Sequence, residues 1–144
     1  MELQFKPIGS GGYAGGMRDY SAEVPLKALT STSVSLPLFV MPKGSTVVAC
    51  KGVFTEASDS AASAALNVGL YKLTSDGTIG VAVDADALFA ATAVGGKDAE
   101  TIASPAATAH GLLLTEDCVV CAAPSAVTTA PKAGVLRIEV FAVR

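Results

Sequence analysis

Apolar and polar residues alternate one by one along most of this chain, and that rhythm limits its fold more than any other feature. Tyr20, Ala22, Val24, Leu26 and Ala28 fall on one side of an extended segment, with Glu23, Pro25 and Lys27 on the other. Val34, Leu36, Leu38 and Val40 repeat the pattern against Ser33, Ser35 and Pro37. Successive side chains of a strand point to opposite faces, so a period of two predicts strands with one buried face. Pro25 and Pro37 lack the N–H that a central strand must donate, which places both strands at or near sheet edges. MPKG (residues 41–44) reads as a turn. TVVACKGVFTE (46–56) is a long strand with Val48, Cys50 and Phe54 inward and Gly52 as a candidate bulge.

Leu66, Val68 and Leu70 alternate with Asn67, Gly69 and Tyr71, and the run Ile79, Val81, Val83 follows after Asp76–Gly77. That dipeptide between two alternating runs predicts a hairpin. Asp84 is placed to cap a helical turn or two over ADALFAA (85–91), with Asp86 suiting the helix dipole. HGLLLTED (110–117) reads as a short strand ending in a turn. CVVCAAP (118–124) reads as a strand apolar on both faces. GVLRIEVFAVR (134–144) reads as a closing strand with Leu136, Ile138, Val140 and Ala142 inward. The count is about eight short strands with regular turn signals, which predicts an all-β sandwich over residues 19–144. Whether it is a jelly roll or a simpler sandwich stays open. Residues 1–18 differ: GSGGYAGG (9–16) is too glycine-rich for a helix or central strand and reads as a flexible arm, spanning about 60 Å if all 18 residues are extended.

Composition excludes several classes. Of 144 residues, 51% are hydrophobic and only 16% charged, against about 25% charged in an ordinary soluble domain. Mean hydropathy is positive, yet a spanning helix needs about 20 consecutive apolar residues. The longest uncharged stretches (60–71 and 101–115) are diluted by Ser, Thr, Asn, Gly and Pro, so no membrane partner is expected. MELQFKPIGSGG has neither the basic start nor the apolar segment of a signal peptide. The ten Lys and Arg are scattered and the net charge is −3, which disfavours a nucleic-acid partner. Three cysteines in no framework spacing suit a reducing cytoplasm better than secretion.

No constellation points to catalysis, a cofactor or a metal. Cys118 and Cys121 form a CxxC, but on a strand positions three apart face opposite ways, and a second ligand pair is missing beyond Cys50 and His110. His110 is the sole histidine, lies before Gly111 in an expected loop, and has no nucleophile motif with it. Asp84 and Asp86 fall short of the about six to eight oxygens that calcium takes. Glu116–Asp117 reads as a solvated turn. The arm lacks the GK[ST] ending and preceding strand of a phosphate loop.

What remains is an apolar surplus. Val47, Ala49 and Val53 are expected on the outward side of their strand, Phe141 and Val143 on that of the last, and CVVC is apolar on both sides. Contiguous exposed apolar surface usually marks an interface, so Val47, Val53, Phe141 and Val143 are the candidate contacts of a homo-oligomer. In the arm, Phe5, Tyr13 and Met17 are the candidate anchors to a partner, since aromatic side chains dominate such contacts.

Three stretches, LNVGLYKLTSDGTIGVAVDADALFAATAVGG (66–96), HGLLLTEDCVVCAAP (110–124) and GVLRIEVFAVR, carry a family likeness. In order and theme they resemble small β-sandwich virion proteins of tailed bacteriophages, especially capsid decoration (cement) proteins. The resemblance covers roughly residues 46–144 and leaves out the arm. It implies binding to the major capsid protein of an assembled shell, often as a homo-trimer at local three-fold positions. It also implies a place on the capsid exterior, assembly in the bacterial cytoplasm, and no catalytic residues. A tail, baseplate or head-fibre component, or a carbohydrate-binding sandwich, is the alternative. The absence of Trp and the three Tyr weigh against the last.

Overall fold

The structure is a computed structural model that describes residues 16–144. The arm anchors Phe5 and Tyr13 lie outside the described residues. Eight strands follow in order: β1 (Arg18–Pro25), β2 (Leu36–Met41), β3 (Thr46–Glu56), β4 (Ser63–Leu73), β5 (Ile79–Ala93), β6 (Ile102–Ala103), β7 (Cys118–Thr129) and β8 (Val135–Val143). They build two four-stranded antiparallel sheets, β1-β8-β3-β6 and β2-β7-β4-β5. The architecture is the all-β sandwich that the alternation predicts.

The pairing is nested. The first strand pairs with the last, the second with the seventh, the third with the sixth and the fourth with the fifth. The contacts β3·β8 and β4·β7 then complete the sheets. This is the order produced by winding one long hairpin into two layers. Strands β1 and β2, with Pro25 and Pro37, are both edges as expected, whereas Pro124 lies in the inner strand β7, next to an irregularity in its pairing with β4. The two edges meet where the rings of Tyr20 and Phe39 stack, with centroids 5.5 Å apart.

The core lies between the sheets. Leu136, Ile138, Val140 and Ala142 of β8 face Cys118, Val120 and Ala122 of β7 and Leu66, Val68 and Leu70 of β4, all buried. At the far edge, Phe89 of β5 reaches across to β3: a Cβ built on Gly52 would sit 3.1 Å from its ring. Asp76–Gly77 forms the expected turn, with Gly77 at φ +84° and the Asp76 carboxylate accepting from Thr74 and Thr78. Those hydroxyls hold the Asp76 carboxyl below its ordinary pKa.

Four expectations are corrected. Residues 85–91 are strand, not helix. β5 is strongly bulged: eight steps of β4 (Ala65 to Leu73) lie against fourteen of β5 (Ile79 to Ala93). The extra residues let Ala87, Leu88 and Phe89 be buried in succession, which a flat strand forbids. Val47 points inward, at 1% exposure, rather than outward as an interface residue. The bulge sits at Val48, where pairing skips from Val47↔Ala142 to Ala49↔Phe141, so Val48 is turned out. A second bulge between Pro37 and Phe39 likewise sends Met41 into the core and Val40 outward. Finally, HGLLLTED makes one bridge, Thr46↔Leu113, rather than a strand, and the short β6 before it carries no sequence signal.

Candidate interaction surface

The candidate chemistry separates in space. Cys118 enters the core while Cys121, three residues on, faces out, and all three cysteines are unbonded and buried. Burial pushes the Cys50 thiol up to about 12 and that of Cys121 to about 11, away from thiolate chemistry at neutral pH. His110 is exposed in a turn. Asp117 accepts the Lys43 N–H at 2.7 Å, closing the loop before β7. Asp84 and Asp86 lie side by side on β5. Desolvation, then the hydrogen bond and charge of Asp86, raise the Asp84 carboxyl above its ordinary value. Among the described residues no three His, Cys, Asp or Glu side chains come together as a metal would need, and no helix is long and apolar enough to cross a membrane.

The two outward faces differ. On β2-β7-β4-β5, Val119 and Cys121 are 5% and 0% exposed although they point away from the core. The chain covers them itself. Gly69 lies beside Cys121 and Tyr71 beside Val119. A Cβ on Gly69 would collide with the backbone of Asp84 and Ala85, which crosses directly over it. Burial raises the pKa of the Tyr71 hydroxyl, with Ser35 acting against the shift. So the apolar outer side of CVVC is not a free patch, and that part of the surplus is spent within the domain.

On β1-β8-β3-β6 the outward side chains fall in rows set by register. Ser21, Glu139 and Lys51 form one row, and Glu23, Arg137, Val53 and Ile102 the next. Lys51 Nζ lies 3.4 Å from Glu139, and Arg137 lies 3.8 Å from it. Asp19, one row away, has its carboxyl raised by burial first and then by Glu139, with Arg137 and Lys51 acting against the shift. On the other side of the charged row the surface turns apolar. Phe141 is opposite Ala49, and the turned-out Val48 sits beside them.

The last row is Val143–Thr46–Leu113, since Thr46 pairs with both neighbours. Arg18 pairs with Ala142, so the same register carried one step places Met17 beside Val143. Met17, Val48 and Leu113 are 50%, 44% and 56% exposed. Phe141, Val143 and Met17, all singled out in the sequence, therefore share one patch. Val53 shares the face but stands across the charged row. Leu113 and Val48 were missed: Leu113 sat in an expected strand of unknown partner, and Val48 was assigned the inward side. The bulge reveals Val48, and the bridge to Thr46 reveals Leu113.

These features define a two-sheet β domain with an apolar corner on one outer face. No protein-family model and no curated protein matches the sequence. Among solved structures the chain shares its fold with chains of bacteriophage capsids. A chain of the cyanophage Pam1 capsid asymmetric unit is similar at TM-score 0.67 and 18% identity, over 99% of this chain and 93% of that one. A chain of the capsid of Ralstonia phage GP4 gives 0.64 and 20%, over 98% and 91%. A chain from the acidic stable capsid of Helicobacter pylori bacteriophage KHP30 gives 0.53 and 14%, over 89% and 87%.

Proposed function

We propose that the chain is a structural virion protein of a tailed bacteriophage, a decoration protein that binds the assembled capsid from outside and stiffens it. The observation that carries this reading is the whole-length fold likeness to chains of phage capsids. The nested strand order supports it as well, and we read that order as a jelly roll. The resemblance of residues 46–144 to cement proteins supports the finer role. In this reading the partner is the major capsid protein, and sister copies, as a trimer, meet through the face bearing Val53, Phe141 and Val143. Residues 1–18 form an arm anchored by Phe5, Tyr13 and Met17, which covers a large surface at the cost of being ordered on binding. Assembly takes place in the host cytoplasm.

The test is co-purification with capsids. The expected result is a fixed copy number relative to the major shell protein, and lower capsid stability in particles lacking this chain. Recovery only in tails or in the soluble fraction would overturn the reading.

A further inference from the structure

The apolar corner lies where the described chain begins. Met17 heads the row that continues through Val143 and Thr46 to Leu113, with Val48 and Phe141 behind it. Residues 1–8 immediately precede the glycine-rich run and alternate Met1, Leu3 and Phe5 with Glu2, Gln4 and Lys6. One side of such a segment is apolar if it is extended. We propose that, in the unassembled protein, residues 1–8 dock on the Met17–Val143–Thr46–Leu113 row of their own chain and cover it. This rests on the reading of residues 1–18 as an arm, and adds where the arm lies before the capsid takes it.

Length and attachment favour the chain's own segment. Met17 to Leu113 spans three strand spacings, about 14 Å. A glycine-rich coil of eight residues, the length of 9–16, has a root-mean-square span of about 16 Å and a full reach of about 26 Å. A linker whose span matches the distance gives an effective concentration in the millimolar range. A neighbouring copy competes only at comparable protein concentration. Asp19, which pairs with Phe141 on the same face, offers a charge partner to Lys6 of the segment.

Cross-linking tests it in the full chain. The native cysteines are buried, so the introduced pair Phe5→Cys and Leu113→Cys carries the thiols that report contact. At micromolar protein under mild oxidant, the expected product is an intrachain disulfide, formed about tenfold or more faster than in the control Phe5→Cys with Val81→Cys, on the other sheet. Equal rates in the two variants, or a product that is a chain-to-chain dimer, would overturn the proposal. Deletion of residues 1–15 should raise binding of an apolar dye several-fold, and adding Leu113→Asp should return it to the starting level; no rise counts against the docking. Capsid binding by the deletion variant is read separately. If cross-linking fails while capsid binding drops, the docking is wrong and the arm reading stands. If cross-linking succeeds while capsid binding is unchanged, the reverse holds.

Discussion

Strands β7 and β8 are each an inner strand of their sheet, and both carry apolar residues on the outward side. Their fates differ. Val119 and Cys121 of β7 are buried beneath Tyr71 and the stretch of β5 that crosses Gly69. Phe141 and Val143 of β8 stay at the surface beside a row of paired charges. The contrast teaches that an outward apolar residue is a free surface only after the chain's own excursions are accounted for. Here a bulged edge strand supplies the cover on one sheet and nothing comparable crosses the other among the described residues.

The largest expected effect probes what anchors that cover. Phe89→Ala removes the ring that ties β5 to Gly52 of β3, and should cost about 3–5 kcal/mol by chemical denaturation. Gly69→Ala drives a methyl into the Asp84–Ala85 backbone and should cost about 2–3 kcal/mol. It should also make Cys121 react with a thiol reagent that leaves the parent untouched. If the thiol stays silent, the cover comes from Tyr71 alone.

A third expectation concerns pH. Cys50 and Cys121 are neutral in the fold with pKa values raised to about 12 and about 11, from 9.0 in the unfolded chain. Their contribution to stability is complete below about pH 9 and is lost as pH rises through the folded values, because the unfolded state ionises first. Denaturation midpoints should fall between pH 9 and 11, and Cys121→Ala should flatten part of that slope. The smallest effects belong to β8's face. Lys51→Ala breaks a surface pair and should cost under about 1 kcal/mol, and Val143→Ser should stay within about 0.5 kcal/mol. If Val143→Ser destabilises strongly instead, that corner is core and the contrast with β7 collapses.

Much of the architecture was legible. Alternation in 134–144 assigns all four inward residues of β8, Pro25 and Pro37 mark two of the four edge strands, and Asp76–Gly77 marks the tight β4–β5 hairpin. Where the reading slipped, a bulge intervened. A single extra residue exchanges the two faces of everything beyond it: Val47 went in and Val48 out, and Val40 exchanged with Met41 in the same way. ADALFAA misled because Ala and Leu suit a helix as well as a strand, and only the core's demand for Ala87, Leu88 and Phe89 together decides. The apolar corner was half legible. Phe141 and Val143 follow from period, whereas Leu113 depends on a single bridge to Thr46, a contact between distant parts of the chain.

The nested pairing also sets a timetable for synthesis. β4 and β5 are joined by a short turn and can zip as soon as both have left the ribosome. β1, which precedes the other strands, has β8 as its only ladder partner among the described residues, and β3 needs β8 as well. One sheet is thus assembled around its last-made strand. Until residues 135–143 emerge, β1 and β3 have no strand to join them into one sheet, and the nascent domain stays half open, dependent on long-range closure that is slow by nature. A translation stall anywhere upstream of Val135 would leave a greasy, unfinished half-sandwich, the kind of species that chaperones retain.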